Sequence, residues 1–224
     1  MAASFGSRIY RFYTSLVPPR MPVGVRAMNP YRDRTARRYV KAYLDAFYGD
    51  ARPRLLAFGI NPGRFGAGIT GVTFTDPVAL ADFCGIPNDL PRRRELSSVF
   101  VYDVIERLGG VRAFTARSFL TAAAPLGFTR GGVNLNYYDV PALARACEPF
   151  IVTSVERHLA FGGRTDRAIV LGAGQNFAHL KRLNDAHGWF GELVALDHPR
   201  FILQYRRKRV AEYVERYVEA FSGG

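Results

Sequence analysis

The sequence predicts an α/β protein: a three-layer sandwich in which helices cover a central, mostly parallel four-stranded sheet. Three observations lead there. Four short apolar runs are bounded by turn residues, as strands buried on both faces are. Stretches of helical character separate those runs, and strands that alternate with helices build parallel sheets. Apolar stripes with helical spacing flank the whole set.

Residues 1–33 are rich in Pro and Arg and are expected to form an irregular arm. Ala36, Tyr39, Val40, Tyr43, Leu44 and Phe47 then mark one face of a helix, with Arg37, Arg38 and Lys41 off the stripe. The expected buried strands are Leu55–Phe58, the Gly132–Leu135 region, Ala168–Leu171 and Leu193–Leu196. Helices are expected near residues 97–108, 141–161 and 175–186, with Pro149 marking a break or a new start in the second. Val210, Tyr213, Val214, Tyr217, Val218 and Phe221 form a closing helical stripe. Both stripes are core-facing and carry no function.

The chain has 224 residues, 48% of them hydrophobic and 13% aromatic, which fits one globular domain over 1–224. A chain of this length buries enough surface to need no staple. No stretch approaches the roughly 20 apolar residues of a membrane span. Met1 to Pro18 lack an apolar signal core because Arg8 and Arg11 interrupt them, so neither secretion nor a membrane partner is expected. Lys+Arg outnumber Asp+Glu by 31 to 19, a net charge of +12. Only Lys41, Lys181 and Lys208 among the bases are lysines. Such a field attracts polyanions; a basic solubility surface shaped by codon usage is the alternative. Ala, Gly and Arg abundance points to a GC-rich, bacterial genome. Two cysteines, Cys84 and Cys147, and four dispersed histidines supply no disulfide framework, iron–sulfur ligation or zinc spacing. A reducing cytoplasm is the default, and neither metal nor cofactor is expected.

Ligands of open α/β sheets bind beyond the carboxyl ends of the strands, so the residues after each run matter. The first run leads into Gly59-Ile60-Asn61-Pro62-Gly63 and on to Thr73-Phe74 through a glycine-rich loop. The second ends at Asn134-Leu135-Asn136, where an amide offers one acceptor and two donors, or simply caps a turn. The third ends at Gly172-Ala173-Gly174, half a dinucleotide fingerprint with Phe177 in place of the last glycine, which argues against a nicotinamide or flavin. A helix N-terminus there can still grip a phosphate. The fourth ends at Asp197-His198-Pro199, followed by Arg200, an apolar run and four bases from Arg206 to Arg209. Bases oppose the dipole at a helix start, so an external anion is expected to offset them. The alternative is a plain turn into a basic helix.

These strand ends, in this order, resemble the uracil-DNA glycosylase superfamily, closest to its single-strand-selective monofunctional (SMUG) group. The likeness runs from about Asn29 to the last helix. The Gly-Ile-Asn-Pro-Gly form at 59–63 is also similar to mismatch-specific uracil/thymine glycosylases, whereas His198-Pro199 is similar to the SMUG group alone. The resemblance implies a uracil-DNA glycosylase-like fold and a monofunctional glycosylase that hydrolyses the N-glycosidic bond of uracil in single- or double-stranded DNA, initiating base excision repair as a monomer. Asn61 and His198 are the implied catalytic residues: Asn61 orients water and His198 donates to uracil O2. Gly59, Ile60, Gly63, Phe74 and Asn136 are the implied substrate-binding residues, with Phe74 stacking on the base and Asn136 reading its edge; Asn134 is the fallback reader. Gly63 stands where prototype uracil glycosylases carry a tyrosine that excludes the C5 methyl, leaving room for 5-substituted uracils. Arg64, Ser97, Gly174, Arg200, Phe201, Arg206 and Arg207 are the expected DNA contacts, and Arg92 to Arg94 are further phosphate candidates.

The chain departs from SMUG relatives after His-Pro, where Arg200-Phe201-Ile202-Leu203-Gln204-Tyr205 replaces a serine and a glycine-containing wedge loop. An apolar side chain from Phe201 to Leu203, or Tyr205, is the expected wedge, unless the run only covers the core. Asp76, near Phe74, is expected to cap the next helix. A mismatch-specific glycosylase, a non-catalytic nucleic-acid-binding module and an enzyme of free nucleosides remain the alternatives.

Overall fold

The computed structural model describes residues 3–223. The chain opens with α1 (Phe5–Ser15), β1 (Val25–Met28), α2 (Arg34–Phe47) and β2 (Arg54–Gly59). Three short or medium helices follow, α3 (Ala67–Thr70), α4 (Pro77–Asp82) and α5 (Leu96–Arg107), and then α6 (Gly110–Thr115). Next come β3 (Ser118–Ala122), β4 (Gly127–Arg130), β5 (Val133–Leu135) and α7 (Pro141–Ala160). The chain closes with β6 (Gly163–Leu171), α8 (Gln175–His187), β7 (Glu192–Leu196), α9 (Pro199–Tyr205) and α10 (Val210–Ser222).

The central sheet has the order β3-β2-β6-β7 and every pairing in it is parallel. Helices flank it, with α7 and α8 packed on β6 and α6 on β3. β2 is buried from end to end, which is why Leu55–Phe58 reads as a continuous apolar run. A second, antiparallel sheet of order β1-β4-β5 stands apart from it.

Four expectations need correction. Val133–Leu135 is not a buried strand of the parallel sheet but the exposed last strand of a hairpin. Gly131 and Gly132, both with positive φ, form the two-residue loop that turns β4 back into β5. The missing parallel strand is β3, hidden by its polar residues. Ser118 and Thr121 are buried there, Thr121 hydrogen-bonding Tyr13 and His158, while the Ser118 carbonyl accepts from Tyr48. The N-terminal arm is not irregular. Ser4 caps α1, whose Phe5, Ile9 and Tyr13 stripe is buried in the core, and Val25–Met28 pairs with β4. Met1 and Ala2 lie outside the described residues. Finally, α7 runs unbroken through Pro149. Pro149 and Arg145, whose carbonyl loses its N–H partner, are both exposed, so that carbonyl is not left without a partner in the core.

No helix among the described residues is long and apolar enough to cross a membrane. Cys84 and Cys147 are both free and buried. The described residues hold no cluster of three or more His, Cys, Asp or Glu suited to a metal ion.

Candidate active site

A cavity of about 290 Å³ opens beyond the carboxyl ends of β2, β3 and β7. β2 delivers Gly59, Ile60, Asn61 and Gly63, β3 delivers Ala122, and β7 delivers His198. The β4–β5 hairpin leans over the opening and adds Asn134, Leu135 and Asn136. The amide pair therefore arrives from the small sheet, not from a central strand.

Asn61 spends both ends of its amide on that hairpin. Its Oδ1 accepts from Tyr137 N at 3.0 Å and its Nδ2 donates to Leu135 O at 3.1 Å. These partners fix which end is oxygen. The oxygen keeps a second lone pair, and the nitrogen a second hydrogen.

Phe74 lies on the floor. The Thr70 hydroxyl binds Thr75 O at 2.7 Å and accepts from Val72 N, tightening the turn that carries the ring. Phe74 itself holds φ at 56°, a left-handed conformation that costs a bulky residue about 1–3 kcal/mol. Its ring is so close to the end of β2 that a Cβ on Gly59 would sit 2.8 Å from Phe74 Cζ. The ring centroid is 5.8 Å from that of His198.

His198 caps α9: its Nδ1 accepts from Arg200 N at 3.2 Å. Burial, aided by the Arg200 charge, pushes its pKa down to about 4. At neutral pH the ring is therefore uncharged. With Nδ1 an acceptor, the proton sits on Nε2, which has no protein partner among the described residues. Tyr217 OH donates to Asp197 O, so α10 steadies the turn from which His198 projects.

The two asparagines of the hairpin differ. Asn136 Nδ2 donates to Asp139 Oδ1 at 3.3 Å, within its own loop. Asn134 Oδ1 is buried without a hydrogen-bond partner, and its Nδ2 lies 3.7 Å from where a Cβ on Gly63 would be.

The rim holds Ser97, buried at the start of α5, and Arg200, Phe201, Gln204 and Tyr205 of α9. Ile202 is fully buried, and so leaves the wedge candidates. Phe201 and Tyr205 are 36% and 60% exposed, and their rings adjoin at 5.5 Å. Arg206 covers the Phe201 ring at 5.1 Å. Arg206 ends α9 and Arg207 follows in a 3₁₀ turn, both exposed and outside the cavity. Arg64 stacks over Phe65, with Arg93 against the same ring. Gly174 is exposed at the start of α8. Neither Arg64 nor Gly174 lines the cavity. Asp76 is buried and caps α4 through Ala79 N, as its position suggested.

Glu95 is the lining residue that sequence reasoning missed. It follows three arginines in a loop with no periodic or motif signal, and only the fold brings it to the cavity. Asp76 Oδ2 accepts from its backbone N at 2.8 Å. Burial pushes its carboxyl above the ordinary range; Asp76 adds to the effect and Arg200 opposes it.

The arrangement can stack a flat ring on Phe74, read its edge with an amide, donate from a neutral imidazole and hold a water on Asn61. The sequence profile of the Uracil DNA glycosylase superfamily matches residues 46–222. The crystal structure of wild-type SMUG2 from Pedobacter heparinus is similar with a TM-score of 0.95 and 37% identity, over 99% of this chain and 98% of that one. No curated protein matches the chain in sequence.

Proposed function

The chain belongs to the uracil-DNA glycosylase superfamily and is a DNA glycosylase of base excision repair; on that premise we propose that it extrudes uracil from DNA and hydrolyses its N-glycosidic bond without cutting the strand. A base inside a duplex is out of reach, so the nucleotide swings out at a cost of a few kcal/mol. Phe201 and Tyr205, exposed side by side, fill the gap it leaves in the stack. Arg200, Arg206 and Arg207 hold phosphates around them. The extruded base stacks on Phe74. Asn134 reads its edge, because the Asn136 amide is engaged by Asp139.

Breaking the bond leaves an oxocarbenium-like sugar and an anionic base. His198 Nε2–H donates to O2 of the base as charge gathers there; a donor so placed is worth about 3–4 kcal/mol. A neutral donor gains strength as the anion forms, without requiring a proton to be lost. Asn61 cannot act as a strong base. Its Oδ1 orients a water, which adds hydroxyl to C1′ late in the reaction, and the base departs with the remaining proton. Strand cleavage by a lyase would need an amine to form a Schiff base. No lysine lines the cavity; Lys41 and Lys181 stand in exposed ion pairs.

The observation that carries this reading is the neutral His198 with its unspent Nε2–H at the cavity wall. The test is incubation with uracil-containing oligonucleotides, single- and double-stranded, with and without alkali. Scission only after alkali is expected. Scission without alkali overturns the monofunctional assignment. Binding without abasic sites leaves a nucleic-acid-binding module, and activity on free deoxyuridine alone leaves a nucleoside enzyme.

A further inference from the structure

Glu95 is the one carboxylate among the described residues that line the cavity. Among the described residues its carboxylate has no hydrogen-bond or ion-pair partner. Oε2 fills the space a Cβ on Gly66 would take, so any side chain at 66 would push the carboxylate out of this position. Oε1 lies 3.2 Å from the corresponding point on Gly63, and Asn134 Nδ2 is 3.7 Å from that same point. The space that Gly63 leaves by lacking a side chain is thus bordered by an acceptor-only group and by the edge-reading amide. An unpartnered carboxylate held beside Gly63 places an acceptor where a substituent of the base would arrive.

We propose that Glu95 is a specificity-determining residue that senses the substituent at C5 of the extruded pyrimidine, favouring one that donates a hydrogen bond and opposing apolar or anionic ones. The inference rests on the base-excision reading above, with the base entering beside Gly63 and Asn134. A hydroxymethyl group gives the carboxylate a hydrogen-bond donor. A methyl group excludes solvent from the half-buried carboxylate and offers no donor in return. A carboxyl group brings like charges together. Sites built around a polar partner reject substituents lacking it more sharply than apolar pockets do.

The test is single-turnover cleavage of single-stranded oligonucleotides carrying uracil, 5-hydroxymethyluracil, thymine or 5-carboxyuracil, by the full chain and by Glu95→Gln and Glu95→Ala. Single strands remove differences in pairing strength, and each rate is taken relative to uracil. The backbone bond from residue 95 to Asp76 survives both substitutions, and thermal melting checks the fold. The proposal expects the relative rate on 5-carboxyuracil to rise about tenfold or more in Glu95→Gln, and the preference for 5-hydroxymethyluracil over thymine to fall about tenfold in Glu95→Ala. Relative rates that match those of the full chain in both variants overturn it. So does a uniform loss on all four substrates, which would make Glu95 part of the reaction itself. If the unaltered chain leaves uracil uncleaved, the excision reading fails, and this proposal with it.

Discussion

His158 is fully buried and His198 half-buried at the cavity wall; both have a pKa pushed down to about 4, yet they occupy different kinds of surroundings. His158 sits in the core between α7, α1 and β3. Its Nδ1 donates to Ser154 O at 2.6 Å, and its Nε2 accepts a proton from the mutually hydrogen-bonded Thr121 and Tyr13 hydroxyls, whose oxygens lie 3.1 and 3.3 Å away. Every hydrogen-bonding position on that ring is used. His198 uses one nitrogen on the α9 backbone and keeps the other for the cavity. A lowered pKa is common to both, so it does not by itself identify a site. What distinguishes the catalytic candidate is an unspent donor facing empty space.

The largest expected difference is kinetic. His198→Ala and Asn61→Ala should each lower single-turnover cleavage by roughly 10²–10³. Loss of the α9 cap should cost His198→Ala about 1 kcal/mol in melting experiments. His158→Ala should show the reverse: a stability loss of about 2–4 kcal/mol, with cleavage by the folded fraction within a few-fold. Equal kinetic losses at 158 and 198 would erase the distinction.

Acid comes next. Both histidines bind protons more weakly folded than unfolded, where the ordinary value is near 6.5. The unfolded chain therefore takes up more protons as pH falls from about 6.5 to about 4, and stability drains away across that window. For fully buried His158 the loss approaches roughly 3 kcal/mol. Urea unfolding at a series of pH values should show it, and His158→Gln should flatten the slope. Cleavage should have no acid limb near 6.5, since His198 stays neutral down to about 4; a limb at 6.5 would place the donor elsewhere.

The same logic of spent and unspent groups separates the hairpin asparagines. Asn134→Ala should lower uracil cleavage roughly 10–100-fold, and Asn136→Ala less than about fivefold. The reverse order would return base reading to Asn136. The smallest effect is expected outside the cavity. Replacing Arg206 and Arg207 together should weaken binding to duplex DNA of any sequence and reduce the slope of log K against log salt by about 2.

The reach of the sequence is clearest at three places. β2 and the last four residues of β6 are legible because strands buried on both faces must be apolar; Leu193–Leu196 is apolar too, but β7 is a half-exposed edge strand and not the buried one its sequence predicts. Ser118–Ala122 is not, because its serine and threonine are satisfied by Tyr48, Tyr13 and His158, partners more than 30 residues away in the chain. Asn61, Phe74 and His198 are legible because local motifs set them at strand ends. Glu95 has no such motif: its place depends on Asp76 holding its backbone and on Gly63 and Gly66 yielding space. The α1 stripe of Phe5, Ile9 and Tyr13 did carry a helical signal, masked by the Pro- and Arg-rich stretch after it.

Asn61 holds the backbone at Leu135 and Tyr137 with both ends of one amide, so the residue proposed to aim the water also sets where the proposed base-reading loop stands. The two cannot be tuned separately. A designer who alters residues 134–137 to admit a new base will move the peptide groups that steady Asn61, and the reaction will slow even if the new base fits. Changes in selectivity that spare the rate must therefore enter from the opposite wall, through Gly63, Gly66 and Glu95, which make no hydrogen bond to that amide.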